Sequence, residues 1–195
     1  MKAVVLHELG GPEVLAIEEV PTPEPIPTEV QVRVQAAGVN PVDFKTREGR
    51  GMAAVLGGPP LRLGWDVCGV VSALGGGVTR FRVGDEVFGM PWFPRQAGAY
   101  AEYVTAPSRH FAAKPAVLST EQAAALPLAG LTAWQVLVDT IRIQSGDDVL
   151  VLGAAGGVGH LAVQIARARG ANVFATARAE QAGELAKLGV ERTID

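Results

Sequence analysis

The sequence holds one cysteine in 195 residues, Cys68, which excludes a disulfide within the chain and any Cys-based zinc finger, and fits a reducing compartment. A basic excess is missing too. The 17 Lys and Arg stand against 20 Asp and Glu, a net charge of −3, so little positive charge exists to neutralise a phosphate backbone and no nucleic acid partner is expected. No run approaches the roughly 20 uninterrupted apolar residues that cross a bilayer. The longest candidate, 123–134, is interrupted by Pro127 and Gly130. The opening Met1-Lys2-Ala3-Val4-Val5-Leu6-His7-Glu8 turns charged too soon for a signal peptide. Together these shortages give the expectation of a cytoplasmic protein without membrane contact. Glycine and proline are abundant instead, 24 and 13, while 48% of residues are hydrophobic, a share that contradicts disorder. The chain reads as folded and rich in turns.

Residues 1–114 read as short β-strands divided by Gly and Pro clusters, among them Gly10-Gly11-Pro12, Gly57-Gly58-Pro59-Pro60 and Gly75-Gly76-Gly77. Val30-Gln31-Val32-Arg33-Val34 shows the period-two alternation of a strand with one buried face. After Pro115 the texture changes. Ser119-Thr120-Glu121-Gln122 before an Ala-rich stretch predicts a capped helix with Ser119 or Thr120 as N-cap, and a second helix is expected over 132–140. Residues 147–152 read as a strand, 159–169 as a helix ending at Gly170, 172–177 as a strand, 180–188 as a helix closed by Gly189, and 193–195 as the start of a third strand. This β-α-β-α-β order is one half of a doubly wound dinucleotide fold. The domains are accordingly placed at 1–118 (β, substrate-binding), 119–145 (connecting helices) and 146–195 (partial dinucleotide-binding).

Val149-Leu150-Val151-Leu152-Gly153-Ala154-Ala155-Gly156-Gly157-Val158-Gly159 sets a glycine cluster between a buried strand and a helix. At such a turn unpaired amide N–H groups and the helix N-terminal partial charge face an anion, and glycine serves where a Cβ would block a pyrophosphate or the helix packing. Read as G-x-G-x-x-G, the pattern has Ala154 first, Gly156 second and Gly159 third. Ala154, Ala155, Gly156, Gly157, Val158 and Gly159 are therefore the candidate cofactor cradle. An NAD site usually carries an acidic residue about 20 residues further on. Here the second strand ends Ala175-Thr176-Ala177-Arg178, so Thr176 and Arg178 replace the carboxylate and a 2′-phosphate would be attracted, which favours NADPH. The competing reading of Arg178 is a solvated surface charge, with Glu180 two residues away.

Lys2-Ala3-Val4-Val5, Gly10-Gly11-Pro12-Glu13-Val14-Leu15, Ala37-Gly38-Val39-Asn40-Pro41-Val42-Asp43, Val83-Gly84-Asp85-Glu86-Val87 and Ala154 to Gly159, in this order and spacing, resemble the zinc-free quinone oxidoreductase branch of the medium-chain dehydrogenase/reductase superfamily. The resemblance implies an α/β plus β fold, in which a GroES-like β-domain precedes the first half of a Rossmann domain. Zinc-dependent relatives place a Cys in the segment matching 38–43 and a His-Glu pair at the positions of Trp65-Asp66. Val39-Asn40-Pro41 and Trp65-Asp66 offer no thiolate or imidazole, so no metal site is expected. The resemblance further implies hydride transfer from NADPH to a small-molecule quinone or enone, with Asn40 near the nicotinamide ribose or substrate oxygen and Thr132 beside the nicotinamide. Asn40 could instead be a turn residue before Pro41, and Thr132 a helix N-cap. Phe44, Trp65 and Trp92 are candidate walls of a substrate pocket, or else core. Asp43 and Asp66 are expected to accept backbone N–H bonds. Some relatives carry a Tyr as proton donor where this chain has Arg50-Gly51-Met52, which points to protonation from solvent.

A six-stranded sheet in the order 3-2-1-4-5-6 needs six βα units, and residues 146–195 suffice for about three strands. The second half is not in this sequence. The expectation is a truncated form of doubtful activity, as a fragment, a naturally shortened chain or one half of a split protein, whose first Rossmann strand has an open edge that is either disordered or paired with a second copy or a completing chain. The alternative is a non-catalytic remnant that works as a binding or assembly module through that edge.

Overall fold

Strand β1 (Lys2–Leu6) pairs antiparallel with β2 (Leu15–Glu19) through a single 3₁₀ turn at Pro12–Val14, the first element of a computed structural model that describes residues 1–195. Contacts divide the chain into two units, Met1–Leu128 and Ala129–Asp195. The first unit continues with β3 (Glu29–Gly38), α1 (Pro41–Arg47), α2 (Ala53–Leu56), β4 (Asp66–Leu74), β5 (Glu86–Gly89), β6 (Tyr103–Pro107), β7 (Phe111–Ala113) and α3 (Thr120–Ala125). Five of these strands form one sheet in the order β6-β3-β4-β5-β7.

The alternation read in β3 is the one observed. Val30 and Val32 are buried among Val67, Val71, Val87, Val104 and Phe111, while Arg33 faces out. The β3–β4 register shifts twice, and Gly69 sits opposite one of these irregularities. A Cβ on Gly69 would lie 2.2 Å from the Arg33 carbonyl oxygen, so only glycine fits this close strand approach.

Two helices interrupt a segment expected to be wholly β. Helix α1 begins with Pro41 in its first turn, where a missing N–H is harmless, and its buried residues are the polar Asp43 and Thr46. A seven-residue helix without an apolar stripe leaves no hydrophobic period to read. Helix α3 starts as expected: the Gln122 amide donates to Ser119 Oγ (3.2 Å), and the Ser119 amide donates to Gln122 Oε1 (2.9 Å).

The helix expected over 132–140 begins earlier, as α4 (Pro127–Trp134), and continues as a π-helical stretch, Gln135–Thr140. Thr132 is therefore a mid-helix residue and not an N-cap. The second unit then lays down β8 (Asp148–Val151), α5 (Gly159–Ala168), β9 (Asn172–Thr176), α6 (Ala182–Lys187) and β10 (Arg192–Ile194). The first turn of the expected helix 180–188 is a separate 3₁₀ turn, Ala179–Gln181. All three strands are parallel, in the order β10-β9-β8. That is the 3-2-1 half of a doubly wound sheet. Val163, Ala166, Val173, Ala175 and Leu185 fill its core. β8 is hydrogen-bonded on one side within the chain, and Leu150 and Leu152, on the side of the strand opposite Val149 and Val151, are 53% and 72% exposed.

Candidate functional site

The turn between β8 and α5 is held by its own backbone. Gly153 adopts φ +63°, which glycine tolerates, and its amide donates to Thr176 Oγ1 at 3.0 Å. The Ala154 amide donates to the Thr176 carbonyl (3.0 Å) and Gly156 to the Gly153 carbonyl (2.9 Å). Ala154 is buried in the core of the unit, so it shapes the turn from behind. Gly159 lets the helix start against the turn: a Cβ there would meet the Gly153 oxygen at 2.4 Å and the Ala154 Cα at 2.7 Å.

The amides of Ala155, Gly157, Val158 and Gly159 make no hydrogen bond within the chain. They lie at or before the first turn of a ten-residue helix, where orphan donors and the helix partial charge combine. A hollow of about 280 Å³ beside them is lined by Gly153, Ala155, Gly156, Ala177 and Gln181. A glycine cradle with free donors fits a dinucleotide diphosphate.

At the end of β9, Thr176 already accepts from Gly153, so its hydroxyl braces the turn. Arg178 is 75% exposed on its side chain and pairs with Glu180 at 3.3 Å. An exposed pair of this kind contributes about 0–1 kcal/mol and is easily exchanged. Sequence reasoning missed Gln181, which lines the turn hollow and a neighbouring one of about 290 Å³ with His160, Glu180 and Glu184. Its signal was weak: it lies three residues past Arg178 in a polar stretch.

In the first unit Asn40 caps α1 and is buried. Its amide donates to Asp43 Oδ2 (2.7 Å), and its side-chain Nδ2 donates to Asp66 Oδ2 (2.8 Å). Asp43 Oδ1 also accepts from the Gly64 amide (3.1 Å), and Asp66 Oδ1 accepts from the Leu128 amide in the first turn of α4 (2.9 Å). Both carboxylates accept backbone N–H bonds, as expected. Burial pushes the Asp43 carboxyl up, and pushes Asp66 up to about 6 against the lowering effect of its Asn40 and Leu128 hydrogen bonds. The Tyr100 hydroxyl beside Asp43 is pushed well above its ordinary range by burial and by the Asp43 charge.

This burial has a measurable sign. Native Asp66 keeps its proton where the unfolded chain has released it, so its contribution to stability is complete below the ordinary value of 3.8 and is lost as pH rises through about 6. Urea unfolding between about pH 4 and about pH 7 is expected to show wild type losing stability relative to Asp66→Asn over that window. Parallel curves for the two proteins would contradict a carboxyl whose burial outweighs its hydrogen bonds.

Phe44 does line a cavity, of about 180 Å³, with Leu15, Val39, Asp43, Leu63 and Tyr100 among its neighbours. Trp65 and Trp92 do not line that cavity. Trp65, expected as a pocket wall, is 1% exposed, packs with Leu6, Leu61 and Leu63, and donates its Nε1 proton to the Arg95 carbonyl (2.6 Å). Trp92, expected beside it, packs on the β-sheet core and donates to the Thr105 carbonyl (2.8 Å). An indole gains more from burial with a satisfied N–H than from lining a wet pocket. No three His, Cys, Asp or Glu side chains converge as a metal-binding group would require. No helix is long and apolar enough to cross a membrane.

Residues 26–116 match the family described as the alcohol dehydrogenase GroES-like domain. The chain is 39% identical over 182 residues to quinone oxidoreductase of Pongo abelii, covering 93% of this chain and 54% of that protein. It is 38% identical over 196 residues to 2-haloacrylate reductase of Burkholderia sp, covering 99% of this chain and 58% of that protein. Among solved structures, Escherichia coli quinone oxidoreductase complexed with NADPH superimposes with a TM-score of 0.85 at 34% identity, covering 100% of this chain and 58% of that one. The chain spans about half the length of the curated relatives it matches.

Proposed function

We propose, from the premise that this chain belongs to the quinone oxidoreductase-like branch of the medium-chain dehydrogenase/reductase superfamily and corresponds to its N-terminal part, that it binds NADPH and serves the zinc-free reduction of quinones or α,β-unsaturated carbonyls. The observation that carries this reading is the set of free amides at Ala155, Gly157, Val158 and Gly159, held open by a turn that only glycine permits at 159. The relatives named as a quinone oxidoreductase and a 2-haloacrylate reductase support the substrate class. When bound, the dinucleotide would supply the hydride.

The chain's own part is positioning. The four free amides hold the diphosphate, and Arg178 meets the 2′-phosphate by exchanging its Glu180 partner for a more highly charged one. Asn40 donates a hydrogen bond to the substrate oxygen or ribose, Thr132 on α4 steadies the nicotinamide, and Phe44 contributes an apolar wall. Solvent returns the proton. We place the protein in the cytoplasm and its β8 edge against a second copy or a completing chain, because a parallel strand with an unpaired edge and an exposed apolar face is seldom left open.

Fluorescence titration with NADPH, followed by addition of a simple quinone, tests the reading. Saturable binding with turnover supports it; the absence of both sinks it. Binding without turnover, in a particle of dimeric mass, would favour the other reading that the exposed Leu150 and Leu152 permit, a non-catalytic assembly module. Arg178→Ala is expected to weaken NADPH about tenfold while leaving NADH nearly unchanged, and Glu180→Gln to strengthen NADPH by freeing the guanidinium. Equal losses for both cofactors would remove Arg178 from the 2′-phosphate.

A further inference from the structure

We propose that Asp66 is a positioning residue for Asn40, fixing which end of its carboxamide is turned outward; the inference rests on the role given to Asn40 above. A carboxamide has two nearly isosteric orientations that exchange an acceptor oxygen for a donor NH₂. A buried asparagine must have that choice made by its neighbours. Here Asp66 Oδ2 takes one Nδ2–H at 2.8 Å, while Oδ1 is already committed to the Leu128 amide at 2.9 Å. Each carboxylate oxygen has its own donor, and the ionised acid serves both at once.

Protonation on Oδ2 reverses the choice. A neutral Asp66 carries a hydrogen on one oxygen, and if that oxygen is Oδ2 it becomes a donor toward Asn40, which then favours the carboxamide with Oδ1 turned inward. The second Nδ2–H is the donor that the substrate oxygen or ribose would use, so an inverted amide offers an acceptor and a donor in exchanged places. The charged or titratable groups near Asp66 are Asp43 on α1, whose charge opposes its ionisation, and Tyr100 beside Asp43. The neighbouring Gly38 at the end of β3, Ala124 on α3 and Leu128 on α4 bring no charge. The same carboxylate caps the first turn of α4, the helix on which Thr132 lies.

Nitrogen-15 spectra of the full chain test this directly. The Asn40 side-chain amide protons are expected to follow one titration with a midpoint at about 6, and to lose it in Asp66→Asn. Asn40 signals that stay flat in wild type between about pH 4.5 and about pH 8 overturn the proposal, whether or not the variant folds. NADPH-driven quinone reduction is the second readout. Its rate should rise through the same midpoint in wild type, and Asp66→Asn should flatten that limb and lower kcat about tenfold or more with KM little changed. The double variant with Asn40→Ala should be no slower than Asn40→Ala alone, and additive losses would overturn the proposal. A titrating amide in a protein whose Asn40→Ala variant keeps full activity supports the coupling and overturns the role of Asn40, so the two failures are distinct.

Discussion

Replacing Trp65 by alanine is expected to lower the unfolding free energy by about 3–5 kcal/mol, enough to leave the first unit marginal or unfolded at room temperature. The side chain is among the largest that are fully buried, and it meets Phe93 edge-on with ring centroids 5.5 Å apart. Its removal takes away apolar contact, leaves a cavity among Leu6, Leu61 and Leu63, and strands the Arg95 carbonyl that its indole N–H satisfies at 2.6 Å. Trp65→Phe separates these effects: it keeps much of the packing and loses the donor, so a loss of about 1–3 kcal/mol is expected. Urea unfolding followed by the remaining tryptophan fluorescence measures both. A pocket wall would behave otherwise, with Trp65→Ala leaving stability within about 1 kcal/mol and altering substrate KM instead. That outcome would return Trp65 to the substrate site.

The same residue shows where the sequence stops being legible. Trp65 stands two positions after Leu63 and directly before Asp66, a spacing that fits a pocket wall or a core anchor equally well. What decides between them is the approach of Arg95 and Phe93 from some thirty residues away, and no local pattern encodes that. The helical half was easier. Ser119 and Gln122 cap α3 as their spacing demands, and Gly170 and Gly189, at φ +82° and +90°, close helical segments that a side chain with Cβ would close only under strain. The β8 turn α5 segment and the three parallel strands could be read because buried strands and glycine turns carry their own signature. Helix α1 could not, since Asp43 and Thr46 turn inward to a polar network and the apolar period is missing. Asn40 was found by resemblance, whereas its hold on Asp66, 26 residues on, emerges only from the fold.

Gly159 and Gly157 give the sharpest separation of folding from binding. Gly159→Ala is expected to destabilise the second unit by about 1–3 kcal/mol, because its Cβ would press on backbone, the Gly153 oxygen at 2.4 Å and the Ala154 Cα at 2.7 Å, and backbone in a turn braced by Thr176 cannot yield cheaply. NADPH affinity should fall with it, about tenfold or more, as the four free amides lose their common aim. Taken alone, that pair of losses would be ambiguous, since any misfolded turn binds poorly. Gly157→Ala removes the ambiguity: a Cβ there meets nothing within 4 Å, and the residue's φ is not in the left-handed region. Its unfolding curve should stay within about 0.5 kcal/mol of wild type. If the turn holds a diphosphate, the added methyl stands in the space the anion occupies, and fluorescence titration should show weakened NADPH binding in a protein that is otherwise unchanged. Full affinity in Gly157→Ala would mean that the dinucleotide does not approach the mouth of α5, and the assignment of the cradle would fall with it.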